Sequence, residues 1–107
     1  MSKISELSRL LRRVIAAREP NRALDAEICL ALEFSADGAA PELTASTDAV
    51  NQLMAALLPG WTGMTVAHGW GSSACIISEQ RQRDGVGETP ALALLAAVLY
   101  QLRASCT

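Results

Sequence analysis

The sequence predicts an α+β fold in one domain spanning 1–107, with four helices against a small antiparallel sheet that contains a β-hairpin at about 61–78. Three observations predict it. Apolar residues recur every three or four positions through the first half of the chain. After Pro59-Gly60 the period drops to two. Near the end, Thr89-Pro90 opens a long apolar segment that reads as a further helix.

The first helix is expected from about Lys3 to Ala17. Ile4, Leu7, Leu11, Val14 and Ile15 mark its apolar side, and Lys3, Glu6, Arg9, Arg12 and Arg13 mostly take the other. It should stop near Arg18, because Glu19 precedes a proline and is pushed out of the helical region. Asn21 then caps a second helix with Leu24, Ile28, Ala31 and Leu32 as its stripe. The small residues from Ser35 to Pro41 read as a surface loop. Ser46 caps a third helix from about Thr47 to Leu58, with Asp48 suited to the helix dipole and Pro59-Gly60 as the stop.

Beyond that stop, Met64, Val66 and His68 alternate with Thr65 and Ala67, Gly69-Trp70-Gly71 turns the chain, and a second strand resumes from Ser73 to Ser78. Glu79 to Glu88 is polar with two glycines and is expected to be a mobile loop. The last helix, Ala91 to Leu102, carries one polar residue, Gln101. Leu92, Leu95, Leu99 and Leu102 mark one face, and Leu94, Val98 and Ala91 mark another. Such a helix is either an inner layer of the fold or is covered by a second copy in a homodimer.

Composition excludes several classes. Half of the residues are hydrophobic but only four are aromatic, so the core must be aliphatic. The net charge of −2 points to no partner by itself, although six of the nine basic residues lie between Lys3 and Arg22. No secretory signal is recognisable, and the longest uncharged run near the C-terminus, between Glu88 and Arg103, is shorter than the roughly 20 residues of a membrane span. A cytoplasmic location is expected. Cys29, Cys75 and Cys106 are odd in number and widely spaced, so they read as reduced thiols, and neither a metal nor another cofactor is expected.

Few residues suggest chemistry. His68 is the one histidine; without a second ligand nearby it reads as a surface or capping residue before a base. Ser46 and Asp48 could be drawn with it as a triad, but helix capping accounts for both. The segment Gly69 to Ser73 has the look of a phosphate loop, yet it leads into a strand instead of a helix. Trp70 at a turn either caps the core or anchors a partner. Arg9, Arg12, Arg13, Arg18 and Arg22 lack interleaved aromatics and sit in a slightly acidic chain, so a solvated face is favoured over nucleic-acid binding. Arg81 and Arg83 sit with Glu79 and Asp84 in the polar segment. His68, Trp70, Arg81 and Arg83 are therefore the candidate partner-binding residues, and the outward-facing side of the hairpin with the Gln80-to-Gly87 stretch is the expected contact surface.

The order of Pro20-Asn21-Arg22-Ala23-Leu24-Asp25-Ala26-Glu27-Ile28, Leu43-Thr44-Ala45-Ser46-Thr47-Asp48-Ala49, Pro59-Gly60-Trp61 and Thr89-Pro90-Ala91-Leu92-Ala93-Leu94 resembles the phage ABA-sandwich domain family. The resemblance covers most of the chain after Pro20. It implies an α/β/α sandwich-like layering, a phage or prophage origin in a bacterial host cytoplasm, and no catalytic residues. Leu43 stands where the family often has an aromatic, and the stretch from Gln80 to Gly87 is longer and more polar than usual. The expected function is a non-enzymatic protein-binding accessory module. An inhibitor of a bacterial defence system, anti-CRISPR-like, is the more specific form, and a small enzyme using His68 or Cys75 is the rival from another class.

Overall fold

The computed structural model describes residues 3–34, 41–69 and 71–105. Along the chain run α1 (Lys3–Ala16), α2 (Arg22–Leu32), α3 (Thr47–Leu57), β1 (Thr62–His68), β2 (Gly71–Ser78), β3 (Arg81–Gly87) and α4 (Pro90–Ala104). The α+β class, the four helices and the small antiparallel sheet are as the sequence predicts. Of the surface loop expected from Ser35 to Pro41, residues 35–40 lie outside the described residues.

Helix starts follow from local chemistry. The first backbone N–H groups of a helix have no intrahelical acceptor, so a short polar side chain just before them supplies one. Asn21 Oδ1 accepts from Leu24 N at 3.0 Å, Ser46 Oγ from Ala49 N at 3.2 Å, and Thr89 Oγ1 from Leu92 N at 3.2 Å. Asn21 and its neighbours also reach across the chain. Asn21 N donates to Thr44 Oγ1 at 2.8 Å, and Thr44 N donates to Asp25 Oδ1 at 2.8 Å. Arg22 Nη1 reaches the other Asp25 oxygen at 3.0 Å. Asp25 and Thr44 are both fully buried. The Pro20-to-Ile28 and Leu43-to-Ala49 motifs thus meet as one polar lock that fastens the start of α2 to the chain leading into α3.

The basic face of α1 is partly neutralised within the fold. Arg9 lies 3.7 Å from Glu27 of α2, and Arg13 pairs with the same carboxylate. These contacts tie α1 to α2 and draw two of the five arginines away from any continuous basic surface.

The sheet is antiparallel in the order β1-β2-β3. Its third strand corrects the expectation of a mobile loop between Glu79 and Glu88. Arg81 to Gly87 pairs in unbroken register with β2, from Ser78 opposite Arg81 to Ser72 opposite Gly87. The physical reason lies in α4. A Cβ on Gly85 would sit 2.4 Å from the Ala93 carbonyl oxygen and 2.5 Å from Ala97 N, and one on Gly87 would sit 2.8 Å from Ala93 N. The glycines that suggest a loop are instead the positions at which the helix backbone rests on the strand.

One face of the sheet, with Gly63, Ala74, Ile76, Gly85 and Gly87, packs on α4. Helix α4 also touches α1 and α3, while α2 packs on α1. The layer order is therefore α/α/β, with the sheet on the outside, and not the α/β/α order that the resemblance implies. Leu92, Leu95 and Leu99 are fully buried and Leu102 is half-buried, so α4 is the inner layer. Leu92, Leu95 and Leu99 of the face considered for a homodimer are covered within the single chain, and only Leu102 stays partly open.

Candidate functional site

The opposite face of the sheet has no helix over it among the described residues. Side chains alternate across a strand, so burying Gly63, Ala74, Ile76 and Gly85 against α4 forces their neighbours outward. The register aligns the outward set in rows: Thr62, Ile77 and Gln82; Met64, Cys75 and Asp84; Val66, Ser73 and Val86. Met64 is 61 % exposed, Val66 56 %, Val86 55 % and Ile77 39 %. An isolated exposed leucine such as Leu30 on α2 is ordinary; four large apolar side chains on one small sheet face form a patch. A shallow depression of about 240 Å³ lies at its centre, lined by Met64, Val66, Ser73, Cys75, Asp84 and Val86.

The polar groups on this face pair with each other. His68 Nε2 lies 3.0 Å from Ser73 Oγ, and Gln82 Nε2 donates to Asp84 Oδ1 at 3.1 Å. Cys75 sits directly across from Asp84. Desolvation on the sheet, then the Asp84 charge and its hydrogen bond, hold the Cys75 thiol above its ordinary range. A thiol acts as a nucleophile through its thiolate, so these surroundings oppose the activation that an enzyme using Cys75 would need. His68 cannot supply it, because His68 pairs with Gly71 at the start of β2, four residues from Cys75.

The sequence-derived candidates do not converge. His68 stands on the open face at the β1–β2 turn. Trp70 lies outside the described residues. Arg81 and Arg83 stand at the far end of the sheet, roughly 20 Å along the strands, and their parity is that of Gly85 and Gly87, which face α4. Arg83 Nε donates to Gln101 Oε1 of α4 at 2.9 Å, and Gln101 is buried. Arg83 therefore helps join β3 to α4.

Sequence reasoning placed the Gln80-to-Gly87 stretch at the contact surface but as a loop, so it did not align Asp84 and Val86 with β1 and β2. It put the contact surface on the outward side of the hairpin, but named Met64 and Val66 only as strand residues and not as members of that side. The usable signal was the glycine pair at 85 and 87 before an alanine-rich helix, which marks a close strand–helix approach.

No group of three or more His, Cys, Asp or Glu side chains among the described residues is placed to hold a metal ion. No helix among them is long and apolar enough to cross a membrane. Compared with known proteins, the chain matches no family model, no curated protein and no solved structure.

Proposed function

We propose that the protein is a non-enzymatic protein-binding module of phage or prophage type, working in a bacterial host cytoplasm, and that it meets its partner with the open face of its sheet. The observation that carries the binding role is the exposure of Met64, Val66, Ile77 and Val86 together on a face that no described helix covers. Uncovered apolar surface on a small chain costs free energy in water, and a protein partner removes that cost. The phage setting rests on the resemblance in the capping and stop motifs alone.

The test compares two variants for capture of proteins from bacterial lysate. In one, Val66→Asp and Val86→Asp charge the open face; in the other, Leu30→Asp charges an exposed apolar position on α2. Both sites are exposed, so both variants should fold, as circular dichroism will check. A protein retained by the wild type and by the Leu30 variant should be lost by the sheet variant. Equal retention by all three removes the open face as the contact surface.

A further inference from the structure

The two edges of the sheet are treated differently. An edge strand exposes a row of unpaired backbone groups, and proteins blunt such edges with charge, proline, bulges or a covering element. Strand β3 follows that rule: it carries Arg81, Arg83 and Asp84, and α1 touches it. Strand β1, Thr-Gly-Met-Thr-Val-Ala-His, does not. It has no charged residue and no proline, its pairing with β2 runs without a bulge from Thr62 to His68, and every residue except Gly63 is exposed. Among the described residues nothing pairs with its outer side.

The register shows which groups that outer side presents. A two-residue hairpin loop is closed by a hydrogen-bonded pair, here His68 and Gly71. Hydrogen-bonded pairs recur at every second residue, so Val66, Met64 and Thr62 also turn their N–H and C=O toward β2. The second hairpin agrees. Its closing pair, Ser78 and Arg81, assigns Ser78, Ile76, Ala74 and Ser72 to β3 and leaves Ile77, Cys75, Ser73 and Gly71 for β1. Gly63, Thr65 and Ala67 therefore point their backbone groups outward.

That row is self-complementary. A two-fold axis at Thr65 sets Thr65 opposite its copy and Gly63 opposite Ala67 of the second chain, matching every outward group in about six main-chain hydrogen bonds. The same axis sets Met64 opposite Val66 of the second chain at a non-hydrogen-bonded position, where cross-strand side chains come closest. No charge meets another, because β1 carries none. We infer that β1 pairs antiparallel with β1 of a second copy, joining two three-stranded sheets into one of six strands. The contact is a strip about 23 Å long and one side chain deep, which belongs with small, concentration-dependent interfaces. The pairing is independent of whatever protein the open face binds, and it makes that face continuous across the dimer.

Sedimentation equilibrium on the full chain tests this, with Thr65→Pro and Met64→Lys as variants. Among the described residues the Thr65 N–H has no partner in the sheet, so proline there removes the central intermolecular donor while remaining at a permitted edge position. The Met64→Lys change places a solvated charge on the edge and removes an apolar cross-strand pair. The expected result is a wild-type dimer at a concentration on the order of 100 μM, a monomeric Thr65→Pro variant with unchanged circular dichroism, and dissociation at least about tenfold weaker for Met64→Lys. A strictly monomeric wild type overturns the inference, as does a folded Thr65→Pro variant that dimerises as well as the wild type. Should Thr65→Pro fail to fold, Met64→Lys decides: an unchanged dissociation constant overturns the inference, and the tenfold loss supports it.

Discussion

Replacing Gly85 with alanine adds one methyl group where β3 meets α4. The new Cβ would lie 2.4 Å from the Ala93 carbonyl oxygen, 2.5 Å from Ala97 N and 3.0 Å from Ala97 Cα. Comfortable contacts between carbon atoms lie near 3.5–4.0 Å, so strand and helix must separate by about 1 Å. None of the three obstacles is a side chain that can rotate away. Overpacking of this kind costs about 1–3 kcal/mol, and a backbone obstacle places this site near 3 kcal/mol. Alanine also restricts the unfolded chain, which returns about 0.4–1 kcal/mol. The net loss is about 2–2.5 kcal/mol. At about 4–8 °C per kcal/mol for a domain of this size, the melting temperature should fall by about 8–20 °C. Gly69→Ala is the matched control: among the described residues, apart from its chain neighbours, nothing lies within 4 Å of the added methyl, and a change within about 0.5 kcal/mol is expected. Thermal melts followed by circular dichroism read both variants. A Gly85→Ala melting temperature within about 4 °C of the wild type would refute the close strand–helix approach, and with it the reason β3 is a strand.

Asp25→Ala removes the acceptor of the buried Thr44 N–H, and should destabilise the fold by about 2–3 kcal/mol in urea titrations. Little of that loss comes from Arg22, whose side chain is 57 % exposed; a shift below about 0.5 kcal/mol would show that the polar lock contributes nothing. The Cys29 and Cys75 thiols are both raised above 9.0, Cys29 by burial first and then by Asp25 against an opposing Arg22. Above that pH the unfolded thiols release protons that the folded ones keep, so their contribution to stability is full below pH 9 and declines as pH rises. Urea midpoints at pH 8 and about pH 10 should converge for Cys29→Ala more than for the wild type, and identical declines would disprove the Cys29 shift.

Four parts of the fold were legible from neighbouring residues alone: the caps at Asn21, Ser46 and Thr89, and the stop at Pro59-Gly60. A capping side chain bonds a backbone group three residues on, as Asn21 does with Leu24, so its meaning is complete within one turn. The first hairpin was legible for the same reason, since a change of period and a glycine turn are local. The apolar run of α4 declared that the helix is buried, but not by what. Either a second copy or the rest of the chain would satisfy the same leucines, and only the packing of α1, α3 and the sheet around it decided for the chain itself.

Strand β3 depends on a contact that no local window contains. Arg-Gln-Arg-Asp-Gly-Val-Gly has poor strand propensity and turns from β2 through Glu79-Gln80, which lacks the usual hairpin glycine. Its glycines are required by the backbone of Ala93 and Ala97, six to twelve residues away and on another element. The open face was hidden for a related reason. Alternation along β1 separates Met64 and Val66 from Gly63 and Thr65, and hydrophobicity alone would send the larger pair inward. The helix that covers the sheet comes too close for large side chains at its nearest points, so small residues face the core there and Met64, Val66 and Val86 are left in solvent. Local residue chemistry set where the helices and the first hairpin begin and end, and the distance between α4 and the sheet set which face is core and which is surface.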